Sequence, residues 1–141
     1  MELVKSYNSF EFLNNNNNVN FKLLINKINC NFDIIMNHSS NILRIKKIVD
    51  GLLNINIQSG QSKEFEKTKI VAKECMNALL MIQSHISFTK NKLDILLNNK
   101  YLIDSKKDFY MERIIKVNNS LNDIISDTIV SIQNILLNNI D

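Results

Sequence analysis

The strongest constraint on the fold is an apolar stripe whose members are spaced alternately three and four residues apart. The stripe comprises Phe65, Thr68, Ala72, Cys75, Leu79, Ile82, Ile86, Thr89, Leu93 and Leu96, and no member is charged. An α-helix places residues at these spacings on one face. The chain contains no proline, and no glycine follows Gly60, so nothing interrupts the pattern. The stripe predicts a helix over residues 62–99.

A second stripe follows and predicts a helix over residues 105–139. Its members are Tyr110, Ile114, Val117, Leu121, Ile125, Thr128, Ile132 and Leu136. Their mean spacing is nearer 3.6 than 3.5 residues, which favours a straight helix over a supercoiled one. Ser105, followed three residues later by Asp108, has the form of an N-terminal cap.

Two apolar rows upstream predict a helix over residues 19–57. The first row is Phe21, Leu24, Ile28, Phe32 and Ile35, and the second is Ile42, Ile45, Val49 and Leu52. Between them, residues 37–41 read NHSSN, where Ser39 or Ser40 could cap a new helix. The three-and-four spacing survives this segment, so one helix and two helices both stay open. Gly51 would mark a bend or a close neighbouring backbone, and Gly60 marks a turn.

The N-terminal region contains five consecutive asparagines at residues 14–18. Asparagine competes for backbone hydrogen bonds and favours turns, so residues 14–20 are predicted to be an Asn-rich linker. Residues 1–13 before it are predicted to form a short N-terminal helix. The predicted fold is all-α: an elongated antiparallel bundle of three to four helices over residues 19–141, plus this short helix.

Composition points to an origin in an AT-rich genome and leaves the partner open. The chain has 24 Asn, 22 Ile and 15 Lys but only two Ala and two Arg, a bias that follows A/T-rich codons. A net charge of +3 with interspersed signs does not demand an anionic partner. Cys30 and Cys75 are too few for a disulfide framework, so we expect reduced thiols.

The chain shows no signal for secretion or membrane insertion. The N-terminus lacks a basic start, and the longest apolar run, residues 78–82, is far shorter than a membrane span. We therefore expect a soluble intracellular protein.

Residue patterns for catalysis or metal binding are missing from the sequence. His38 and His85 have no Cys, His, Asp or Glu three or four positions away, the spacing at which helical ligands converge. The two glycines cannot supply a phosphate-binding or nucleophile-elbow motif. We predict no enzyme activity, no catalytic residue, no cofactor and no metal site.

Basic residues cluster without forming a clean stripe. Glu64 and Glu66 interrupt the densest lysine cluster, which lies over residues 63–73, and Glu74 follows directly after it. Nucleic-acid binding would favour an uninterrupted Lys and Arg face. Binding to nucleic acid or another anionic surface is therefore the alternative hypothesis.

A second apolar line on the helix over residues 62–99 exceeds what a simple bundle needs. Met81, Phe88 and Ile95 recur every seven residues, roughly 130° around the helix from the first stripe, and Leu80 adds to them. Either the N-terminal element or the segment over residues 21–57 covers this line, or the line forms an interface for self-association or a protein partner. We predict a non-catalytic protein–protein interaction or assembly module that uses these four residues.

Overall fold

The computed structural model describes the backbone of residues 10–58, 62–100 and 102–137, and the side chains of residues 21–55, 65–100 and 102–137. Helix α1 spans Phe10–Gln58, α2 spans Ser62–Leu97 and α3 spans Asp104–Leu137. No β-strand occurs within these residues. The predicted all-α class is confirmed, and the bundle has three helices.

Helix α1 runs without a break through residues 37–41, where the sequence left two interpretations open. Ser39 Oγ donates a 2.6 Å hydrogen bond to the Met36 carbonyl, and Ser40 Oγ donates one of 3.4 Å to the Asn37 carbonyl. Both hydroxyls therefore bond back within the helix instead of capping a new one. With 49 residues, α1 is about 74 Å long, because each helical residue adds about 1.5 Å.

The N-terminal part of α1 differs from the prediction. Residues 14–20, predicted as a linker, have helical backbone, because α1 begins at Phe10. Each asparagine is less favourable than alanine in a helix by less than about 0.7 kcal/mol. Extending an existing helix is far easier than nucleating one, so this penalty does not stop α1. Of the predicted short helix over residues 1–13, residues 1–9 lie outside the described residues and the rest belong to α1.

The connection from α2 to α3 lies close to where the sequence predicted it. The last turn of α2 tightens, because the Asn98 N–H approaches the carbonyls of both Asp94 and Ile95 at 3.2 and 3.3 Å. Leu102 follows and is buried, so the loop contributes to the core. The first α3 hydrogen bond runs from the Lys107 N–H to the Ile103 carbonyl. The cap therefore lies before the predicted Ser105, which is inside α3.

The core consists of side chains that repeat every seven residues on all three helices. They include Ile28, Ile35, Ile42 and Val49 on α1, Phe65, Ala72, Leu79, Ile86 and Leu93 on α2, and Ile114, Leu121, Thr128 and Ile135 on α3. The predicted stripe on α2 is confirmed, with only Ile82 and Leu96 half-buried. On α3, Ile135 is buried, and the predicted Leu136 is half-buried and packs against the core.

Contacts between side chains establish the helix directions. His38 on α1 meets His85 on α2, and further along, Asn31 lines a groove together with Lys92. Residue numbers rise on α1 as they fall on α2, so these helices are antiparallel. Lys106 and Arg113 on α3 lie over two α1 phenylalanines, Phe21 and Phe32 respectively, which makes α3 parallel to α1. The three helices all contact one another.

Candidate interaction surface

The second apolar line predicted on α2 is exposed in the structure. Leu80, Met81, Phe88 and Ile95, which we call the α2 outer face, are 47%, 73%, 60% and 73% exposed. By contrast Leu79, Ile86 and Leu93 on the same helix are buried in the core. Among the described residues, neither α1 nor α3 covers the α2 outer face. Of the two segments that could cover this line, residues 21–57 do not cover it in their described part, and residues 1–9 lie outside the described residues.

The four residues do not all lie on one line. Met81, Phe88 and Ile95 succeed one another every seven residues and follow the helix axis closely. Leu80 is offset from Met81 by one residue, roughly 100° around the helix, so it widens the face instead of extending it. Ile70 is 58% exposed and, three helical turns before Met81, lies on the same line. Sequence reasoning missed Ile70, although its spacing of eleven residues from Met81 was a usable signal.

The border of the α2 outer face toward α1 is basic. The Lys92 ammonium lies 5.5 Å from the centre of the Phe88 ring, within the range of a cation–π contact. Beside it, an open groove of about 460 Å³ is lined by Lys27 and Asn31 from α1 and by Lys92, Ile95 and Leu96 from α2. The apolar line therefore ends in a concave surface with two lysines at its edge.

The structure also brings together two histidines that the sequence analysis treated separately. His38 Nε2 and His85 Nδ1 are 2.8 Å apart, a hydrogen-bond distance across the seam between α1 and α2. The ring centres are 5.0 Å apart and the rings are nearly perpendicular, at 84°. Partial burial, and secondarily the charge of His85, lower the pKa of His38 below its ordinary value.

No spacing rule within one helix could have found this pair, because the residues are 47 positions apart. The usable signal was the turn that the sequence predicts at Gly60. His38 and His85 lie at similar distances before and after it, so an antiparallel hairpin places them side by side.

The two cysteines occupy different environments. Both are free thiols; Cys75 is buried in the core and Cys30 is exposed. Burial, followed by the charge of Glu74, raises the pKa of the Cys75 thiol, which makes it a poor nucleophile. Within the described residues, no three Cys, His, Asp or Glu side chains converge as metal ligands.

Comparison with known proteins gives no match to a protein-family model, a curated protein or a solved structure. None of the helices in the described part of the chain is both long and apolar enough to cross a membrane. A functional hypothesis must therefore come from the chain's own surfaces.

Proposed function

We propose that this chain is a non-catalytic interaction or assembly module that binds the apolar side of another helix through the α2 outer face. The exposure of Met81, Phe88 and Ile95 along one line of a helix is the observation that supports it. Exposed apolar side chains that form a continuous patch are typical of protein interfaces, whereas isolated ones are ordinary.

The seven-residue spacing favours a helical partner. Helices that pack along a coiled-coil seam present apolar residues with this repeat, each inserted between residues of the facing helix. Burying a side chain of this size contributes about 1.5–3 kcal/mol. Burial of three such residues, together with Leu80 and Ile70, can therefore exceed the free-energy cost of the translational freedom that a partner helix loses on binding.

Charges at the border would set the orientation of the partner. Lys92 lies beside Phe88 and makes no salt bridge to a carboxylate in the described part of the chain. A partner helix with an acidic residue next to its apolar seam would pair with this ammonium. The partner can be a second copy of this chain or another protein, and the experiment below separates the two.

Truncation of Phe88 is the most direct test, because a matched control exists on another helix. Phe88 on α2 is 60% exposed and Phe109 on α3 is 59% exposed, so Phe88→Ala and Phe109→Ala remove equally accessible rings. If the chain self-associates, light scattering at rising concentration will show a mass above that of the monomer. Phe88→Ala will reduce that mass and Phe109→Ala will not.

If all three proteins stay monomeric, the partner must be another protein. Pull-down from the native host, quantified by mass spectrometry for wild type and both variants, should then yield a protein that depends on Phe88 and not on Phe109. A monomer at every concentration, together with no protein that depends on Phe88, contradicts the proposal.

A second candidate function is binding of nucleic acid or another anionic surface. The observation that favours it is that Lys106, Arg113 and Lys116 are all exposed on α3. Phosphate binding weakens steeply between about 50 and 200 mM salt, whereas apolar association does not. Binding that survives this change of salt supports the interaction module.

A further inference from the structure

The contact between His38 and His85 places two imidazoles, each a possible metal ligand, next to each other on different helices. Their facing nitrogens, Nε2 and Nδ1, are 2.8 Å apart and belong to different helices. With metal–nitrogen bonds of 2.0–2.1 Å, two ligands at a right angle are about 2.9 Å apart, and two at a tetrahedral angle about 3.4 Å apart. The observed separation is therefore close to that of adjacent ligands in a square-planar or octahedral complex.

The approach to the pair is open. His85 is exposed and His38 is half-buried, so water and ions reach the two rings from solvent. No charged residue lies three or four positions from either histidine along its own helix. No ammonium or guanidinium at those positions would therefore repel a cation.

We propose that His38 and His85 form an interhelical two-imidazole site for a divalent transition metal, with Cu²⁺ bound more tightly than Ni²⁺ or Zn²⁺. Imidazole suits all three metals, and affinity rises from Ni²⁺ to Cu²⁺ and falls again at Zn²⁺. Water fills the remaining positions, so the metal exchanges readily.

Binding requires both rings to turn away from their present hydrogen bond. At present one ring nitrogen donates its proton to the other, whereas a metal needs a lone pair from each. Tilting the two rings toward a common point, with the protons on His38 Nδ1 and His85 Nε2, supplies both lone pairs. The metal then links α1 to α2 at the edge of the α2 outer face, since His85 lies between Met81 and Phe88 in the chain.

The test is calorimetric titration of the untagged full chain with Cu²⁺, Ni²⁺ and Zn²⁺ at pH 7.5. A Cys30→Ser background removes the exposed thiol, which would otherwise bind or reduce Cu²⁺. We expect one equivalent of metal, with Cu²⁺ bound more tightly than Ni²⁺ or Zn²⁺. His38→Gln and His85→Gln should each weaken binding more than tenfold, because even the loss of a second-shell partner weakens metal sites by about 10–100-fold.

Two further readouts separate a two-histidine site from incidental binding. The paramagnetic resonance spectrum of the Cu²⁺ complex should show coupling to two nitrogens, reduced to one in either variant. The melting temperature should rise with metal for the parent chain alone, because a metal held by both helices stabilises only the folded state. Equal affinities in the parent and the glutamine variants, or coupling to a single nitrogen in the parent, would overturn the proposal. Circular dichroism of each variant confirms that it is folded.

Discussion

The guanidinium carbon of Arg113 lies 4.3 Å from the centre of the Phe32 ring and joins the first half of α3 to α1. Phe32 is buried and Arg113 is exposed, so the contact lies at the boundary between core and solvent. The planar guanidinium covers an aromatic face that water would otherwise reach. This stack therefore contributes to the docking of α3 onto the hairpin formed by α1 and α2.

Arg113→Gln should destabilise the bundle through loss of this stack. A double-mutant cycle with Phe32→Leu should give a coupling energy of about 0.5–1 kcal/mol, the range for cation–π contacts that solvent reaches. Urea unfolding followed by circular dichroism measures the four free energies. Lys116→Gln on the same helix removes an exposed cation with no aromatic contact among the described residues, and should show no coupling to Phe32. Equal coupling for both positions would contradict the assignment.

Leu79 and Leu80 are adjacent and identical, yet their truncation should differ sharply. Leu79 is 0% exposed and Leu80 is 47% exposed. Leu79→Ala removes core contacts and leaves a cavity, so we expect a loss of about 2–5 kcal/mol in the free energy of unfolding. Leu80→Ala should change it by less than about 0.5 kcal/mol. Urea unfolding at low protein concentration measures both losses. Similar values would contradict the burial of Leu79 and the exposure of Leu80.

Gly51→Ala should stabilise the protein. Gly51 lies inside α1, and a Cβ added to it would meet no atom within 4 Å. The sequence-based expectation that Gly51 marks a close neighbouring backbone is therefore not supported. Alanine loses less backbone entropy on folding, so a gain of about 0.5–1 kcal/mol is expected. Thermal unfolding of the two proteins checks this, and a lower melting temperature for Gly51→Ala would contradict it.

Stability should fall on acidification as His38 becomes charged. Burial, and secondarily the charge of His85, lower the pKa of His38 in the folded state from its ordinary value of 6.5. Just below pH 6.5 the unfolded chain therefore binds more protons than the folded one. The contribution of His38 to the free energy of unfolding is therefore complete above pH 6.5. It is lost as the pH falls through the folded-state pKa of His38.

Urea unfolding between pH 7.5 and 5, above most carboxyl titration, measures this effect. His38→Gln should flatten the pH profile, because it removes the group whose pKa is lowered. An unchanged slope in His38→Gln would show that another group is responsible.

Local patterns predicted the helices well. The α2 stripe from Phe65 to Leu96 could be read directly, because spacings of three and four encode one face of a helix whatever lies around it. The same reasoning found the line through Met81, Phe88 and Ile95, although it could not show that the line is exposed. The linker predicted at the asparagine run differs from the structure. That prediction considered the helix preference of each asparagine and not the long helix that continues through these residues.

The sequence by itself determined that this chain forms long amphipathic helices, since hydrophobic periodicity is a property of each segment alone. Only the tertiary structure decided which residues of different helices meet. The facing of His38 and His85, the stacking of Arg113 on Phe32 and the exposure of Phe88 depend on how the helices are aligned lengthwise and rotated about their axes. That alignment arises from the burial of all three stripes together and from the turns that connect them, so no single segment encodes it.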